Sequence, residues 1–245
     1  FMAMGYLLCR AKDLKLIRLK MSAKSIASAF RNAGYHCRIG SSTLLGELAL
    51  AVMFYVGNRV FMHYLGDTGV GAYGMGGYYM PFFFMVGNSI AQSAQPIISY
   101  NYGIDRWTRI VEARKVLLMT CLGFGVAVSL IFILFPKGLV GLFIPIESEA
   151  AIIAINGFPL LSIGILFFIL NVAIIGYYQS VERMGKATLY VFLRGFVFIV
   201  PCFLTLPKFL GTVGIWLAMP ASELLTSLFI ALSVLPSRLK SLRKQ

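Results

Sequence analysis

Glu47 and Glu223 are carboxylates set inside long apolar runs, and Arg59 and Arg194 are cations set inside others. An ionisable group in a nonpolar medium is unfavourable unless neutralised, so each is a candidate for binding, proton transfer or pairing. A desolvated carboxylate can hold a proton, because burial disfavours its charged form, or it can attract a cation. Glu47 falls about two turns into its run, roughly 9 Å from the start if the run is helical. Phe54 and Asn58 follow on the same face at i+7 and i+11. Either use of Glu47 would let an ion compete with a second ligand. Arg194 lies at a similar depth in its run, and Glu223 nearer the middle of another. Arg194 with Glu47 or with Glu223 would cancel a charge, and charge pairing is the expected role of Arg194 and Glu223. Arg59, His63 and Asp67 are spaced four apart near the end of one run, where snorkelling to the surface accounts for them.

A second pattern is polar but uncharged. Asn88, Gln92, Gln95 and Ser99 fall at i, i+4, i+7 and i+11, one face of a helix. Amides on a membrane helix either bridge to other helices or line a wet cavity. Asn171 is a further candidate for that cavity. Upstream of the stripe lie Tyr73, Tyr78, Tyr79, Phe82, Phe83 and Phe84. Aromatic faces suit cationic organic molecules, although lipid contact and packing use the same residues. No nucleophile–base pair, metal-ligand cluster or phosphate-cradling glycine loop is present, so no catalytic or metal-binding residue is assigned. Cys9, Cys37, Cys121 and Cys202 are too scattered for a zinc or CxxC pattern and read as free thiols.

The elements that must position these groups are membrane helices. Of 245 residues, 59% are hydrophobic and 13% charged, against about 25% charged in soluble domains. A spanning helix needs about 20 mostly apolar residues, and six stretches qualify: 42–65, 70–98, 116–135, 151–178, 188–206 and 212–235. The formal charge is +13, and all 22 basic residues except Arg59, Lys137, Arg194 and Lys208 fall in four segments: 10–41, 99–115, 179–187 and the tail. These segments alternate with the spans. The positive-inside rule puts them, and the C-terminus, on the cytoplasmic side of a cell membrane. The charge therefore acts as a topology signal and lipid-headgroup contact, not as a nucleic-acid surface. The expected class is an all-α integral membrane protein, with a six-helix bundle over 42–235 and a basic tail over 236–245. Residues 1–9 read as the tail of a preceding span, which predicts a fragment of a longer chain. Residues 10–41 read as a basic cytoplasmic connector, with Leu14, Ile17 and Met21 at amphipathic-helix spacing.

Four segments, in order, resemble the multidrug and toxic compound extrusion (MATE) family. The run Ser89-Ile90-Ala91-Gln92-Ser93-Ala94-Gln95-Pro96-Ile97-Ile98-Ser99-Tyr100-Asn101-Tyr102-Gly103 is similar to the signature at the cytoplasmic end of its eighth span. Ser41-Ser42-Thr43-Leu44-Leu45-Gly46-Glu47-Leu48 resembles the opening of the seventh span in the bacterial multidrug branch. Tyr177-Tyr178-Gln179-Ser180 resembles the end of the tenth, and Gly214 to Glu223 the twelfth. The resemblance implies one lobe of a twelve-helix transporter, spans seven to twelve, with 10–41 joining it to a missing N-terminal lobe. It implies export of amphipathic or cationic drugs in exchange for protons or sodium ions, with no other cofactor. Glu47 matches an acidic position implicated in cation coupling in some branches.

The reading that follows is a secondary antiporter. Glu47 would hold the cation or proton, and Asn58, Asn88, Gln92, Gln95 and Asn171 would line the substrate cavity. Two alternatives stand beside it. A flippase for lipid-linked saccharides would need a more cationic cavity, for which Arg59 and Arg194 are the candidates. A non-transporting membrane scaffold would use the same polar residues for stability alone. A membrane enzyme would need a catalytic His or carboxylate dyad at one face, and neither is found.

Overall fold

The computed structural model describes residues 23–242, with side chains described to Val234 and at part of 23–40. The chain divides into two units, Phe1–Gly40 and Ser41–Gln245. The described part of the first unit is helical. The expected earlier span over 1–9, the amphipathic face of Leu14, Ile17 and Met21, and the side chains of the basic tail lie outside the described residues.

All regular structure among the described residues is helical: α1 (Ala23–Gly103), α2 (Trp107–Leu134), α3 (Pro136–Gly141), α4 (Glu149–Ser180), α5 (Met184–Phe192), a π-helical turn Leu193–Phe198, and α6 (Ile199–Leu242). A helix closes its backbone hydrogen bonds within itself, as lipid requires. Four of the helical stretches are long and apolar enough to span a membrane. Two of them are hairpins. At Gly66 (φ 62°, ψ −155°) and Gly211 (φ 58°, ψ −135°) the backbone leaves helical geometry. These angles lie in a region that is essentially glycine's alone.

Contacts prove the reversal. Phe61 stacks on Tyr73 at 4.5 Å, Tyr73 Oη donates to the Met53 carbonyl at 3.1 Å, Gly77 lies against Phe54 and Gly46 against Phe84. The pairs straddle Gly66 and move apart along the chain together, the signature of antiparallel helices. About Gly211 the pairs are Gly214 with Leu206, Arg194 with Glu223 and Tyr190 with Ser233. The second unit is therefore a bundle of six helical segments, breaking at 66, 104–106, 135–148, 181–183 and 211.

The bundle is built around α4. Of its most apolar window 61% is buried, against 28% for that of α2. A helix hydrophobic all round belongs at a core. Close approach is made through small residues: Gly157 against Trp216, Gly164 against Met219 and Pro220, Gly176 against Ala91, and Gly125 against Leu166. Phe158 and Phe132 stack at 5.0 Å beside Tyr79 and Trp216. Tyr79 Oη also donates to the Leu139 carbonyl at 2.9 Å, tying α1 to the turn after α3 begins.

Two features are specified further by the structure. The basic segments 99–115 and 179–187 are not long loops. Helix continues to Gly103 and resumes at Trp107, and it continues to Ser180 and resumes at Met184. Arg109, Arg114, Lys115 and Lys186 therefore lie on helix ends. Lys and Arg are good helix formers, so a helix can run past the hydrocarbon without changing residue type. The aromatic run also divides: Tyr73 and Phe83 are buried in the core, whereas Tyr78 and Phe82 are exposed.

Candidate functional site

The centre of the bundle holds a polar knot. Arg194 projects from the π-helical turn, and its Nε donates to Glu223 Oε1 at 2.6 Å. The other carboxylate oxygen accepts from Asn171 Nδ2 at 2.8 Å, and the same nitrogen reaches the Glu223 carbonyl at 3.0 Å. Ser227 Oγ donates to Asn171 Oδ1 at 2.9 Å. The guanidinium lies 4.1 Å over the Phe168 ring. Arg194 and Glu223 are 6% and 3% exposed, and Asn171 is fully buried. In such a setting charge is tolerated because every partner is supplied by protein. Arg194 points inward from the π-helical turn, where its neighbour Gly195 packs tightly on Ala49.

Below this knot, Ser42, Asn88, Gln179 and Arg194 line a small hollow between α1, α4 and the α5 region. Its volume is about 30 Å³, enough for ordered water among polar partners. Gln179 Nε2 donates to Ser42 Oγ at 3.0 Å. Ser99 Oγ donates to the Ser180 carbonyl at 2.9 Å, clamping the end of the polar stripe onto α4.

The residues expected to form one site are thus separated. Arg194, Glu223 and Asn171 come together, and Asn88 borders the hollow beside Arg194. Asn171 does not line an open cavity: both ends of its amide are engaged. Glu47, Asn58, Gln92 and Gln95 are exposed on the unit's surface. Arg59 is exposed too, its guanidinium 5.8 Å over Tyr55. Glu47 does not pair with Arg194; among the described residues it has no ion-pair partner. Ser227 and the Gln179–Ser42 link were missed. Ser227 stands four residues after Glu223, a helical neighbour that spacing alone could have flagged. Among the described residues no group of His, Cys, Asp and Glu could hold a metal ion.

Known proteins share this architecture. Residues 43–204 match the family model MatE. A Vibrio cholerae MATE transporter, VcmN, in a mutant form, superposes with a TM-score of 0.80 at 16% identity, over 98% of this chain and 53% of its own. An outward-facing multidrug resistance MATE family transporter of the MOP superfamily gives 0.77 at 16% identity, over 94% and 50%. A MOP superfamily transporter from Pyrococcus furiosus, described as having a binding pocket of reverse polarity that suggests a different function, gives 0.74 at 16%, over 85% and 47%. No curated protein sequence matches. The chain spans about half the length of these structures, that is, one lobe. With residues 43–204 matched by the family model, the chain belongs to the MatE family, whose members are membrane transporters rather than enzymes.

Proposed function

We propose that this chain is the C-terminal lobe of a secondary antiporter that exports amphipathic or cationic organic molecules in exchange for protons or sodium ions. The observation that carries the proposal is the contrast between two carboxylates on apolar helices. Glu223 is buried and fully partnered. Glu47 is exposed on the surface of the unit and, among the described residues, has no ion-pair partner. A bare carboxylate facing hydrocarbon is strongly disfavoured, so Glu47 must face another protein surface or water. An opposing N-terminal lobe would supply both, with a cavity between the lobes bordered by Asn58, Gln92 and Gln95. A proton or sodium ion on Glu47 would favour one conformation of the lobes and an organic cation the other. Differential affinity of this kind is what lets either ligand shift the population. Alternating access needs two lobes rocking about a central site.

The positive-inside rule supports a cell membrane location with the basic end of the bundle, and the C-terminus, in the cytoplasm. The flippase alternative needs free cations for a pyrophosphate. Arg194 is bound to Glu223, which leaves Arg59 of the two intramembrane candidates.

The test is efflux of a fluorescent organic cation from cells expressing the full-length protein, wild type against Glu47→Gln at matched membrane levels. Export by wild type and its loss in the mutant supports the antiporter with Glu47 at its ion or substrate site. Equal export makes Glu47 structural. No export of any cation tried removes the drug-antiporter reading.

A further inference from the structure

At the basic end of the bundle, α2, the end of α4, the start of α5 and α6 enclose two adjoining hollows that the transport reading does not use. The first, about 230 Å³, is lined by Arg114, Arg183, Lys186, Trp107, Tyr177 and Tyr178, among others. The second, about 330 Å³, continues from it through Arg114, Tyr177, Tyr178 and Val234, and its remaining walls are Leu118, Ile174, Ile230 and Ala231. The cationic and the apolar parts of the walls follow one another along the helix axes. Leu118 stands one helical turn beyond Arg114, Ile174 one turn beyond Tyr178, and Ile230 one turn beyond Val234, each toward the bundle interior. Cations therefore ring the mouth at the helix ends, and a greasy slot runs inward beneath them.

Among the described residues no acidic side chain lines either hollow. Arg114 sits 5.4 Å over the Tyr177 ring and Lys186 5.4 Å over the Tyr178 ring. A ring engages the cation through its π face and accepts no conventional hydrogen bond, so the N–H donors remain suited to anionic oxygens. Basic pockets between helices at a membrane face recognise anionic headgroups.

We infer that this composite hollow binds one anionic glycerophospholipid of the adjoining leaflet, such as phosphatidylglycerol. The phosphate lies among Arg114, Arg183 and Lys186, Trp107 and the two tyrosines flank the glycerol region, and one acyl chain fills the slot to Ile174 and Ile230. The three cations oppose the quaternary ammonium of a phosphatidylcholine, which gives the site its headgroup preference.

The experiment uses the full-length protein in detergent micelles and follows quenching of Trp107 by brominated phosphatidylglycerol or brominated phosphatidylcholine, with Trp107→Phe as the background. A cation near an anionic leaflet is worth about fivefold in binding. Arg114→Gln with Lys186→Gln is therefore expected to weaken phosphatidylglycerol binding roughly 25-fold, and the charge-keeping pair Arg114→Lys with Lys186→Arg to retain most of it. Ala231→Phe, which fills the slot, leaves the cations and adds no fluorophore that the assay reads, is also expected to weaken it. Equal quenching of wild type by the two lipids overturns the inference and requires no variant to fold. So does unchanged binding in the Gln pair, or displacement of the lipid by glycerol 3-phosphate at equal concentration, which would leave the acyl slot without a role. The outcome does not depend on transport or on which side of the membrane the basic end faces.

Discussion

Removing one member of the Arg194–Glu223 pair is the sharpest perturbation of this lobe. With 6% and 3% exposure, neither side chain can turn to water when the other is lost. Glu223→Ala strands the guanidinium with the Phe168 ring as its remaining neighbour of opposite polarity and takes from Asn171 its acceptor at 2.8 Å. Breaking a buried pair from one side costs about 3–5 kcal/mol, and the lost amide hydrogen bond adds about 1 kcal/mol. The full-length protein is proposed to be about twice this chain, so each kcal/mol moves its melting temperature by about 1–2 °C and the expected fall is on the order of 5–10 °C. The double variant Arg194→Met with Glu223→Leu removes both charges, keeps apolar volume, and is expected to melt within a few degrees of wild type. The assay is thermal unfolding of the full-length protein in detergent, read by far-ultraviolet circular dichroism. If Glu223→Ala melts with wild type, or if the double variant falls as far as Glu223→Ala, Arg194 does not compensate the buried carboxylate and the knot is not held as described.

Other substitutions probe separate features. Gly66→Ala should destabilise by about 1–3 kcal/mol although no atom lies within 4 Å of the added carbon; a melting temperature equal to wild type would show that the turn is not strained as described. Gly195→Ala drives a methyl into Ala49 and should cost about 1–3 kcal/mol, with partial recovery on adding Ala49→Gly; the same pair of melts measures both. Gln92→Ala with Gln95→Ala should leave the melt unchanged, since both side chains are exposed, yet weaken apparent affinity for an exported cation by roughly 30-fold in efflux titrations, at about 1 kcal/mol per hydrogen bond. In intact cells an impermeant maleimide should label Lys137→Cys and spare Arg183→Cys; the reverse pattern would invert the topology.

Length and hydropathy made the six spans legible, because burial in lipid is recorded residue by residue. The two hairpin tips were harder to see. Nothing in composition distinguishes Gly66 from Gly69 or Gly71, and their roles differ only through backbone angles. The polar knot was half legible. Arg194 had two acidic candidates, and which one it meets is decided by α6 folding back at Gly211, a long-range fact with no local signal. Asn171 looked like a cavity residue because an intramembrane amide has two possible fates, bonding to a neighbouring helix or facing water; here the neighbour wins. The π-turn that aims Arg194 had no signature either, since one residue of slip leaves the hydrophobic pattern intact.

The single-residue reversals at Gly66 and Gly211 bear on how the chain enters a bilayer. A span that ends in a hydrophilic loop must drag that loop through hydrocarbon during insertion. Here two of the three connections at the end opposite the basic one consist of little more than a glycine, with Asp67 and Lys208 as the nearest charges. Each hairpin can be delivered as a preassembled pair, its internal contacts, such as Phe61 on Tyr73, already made before the tip crosses. The connection over 135–148, which holds Lys137 and Glu147, is the one that asks the insertion machinery to move a longer charged segment across.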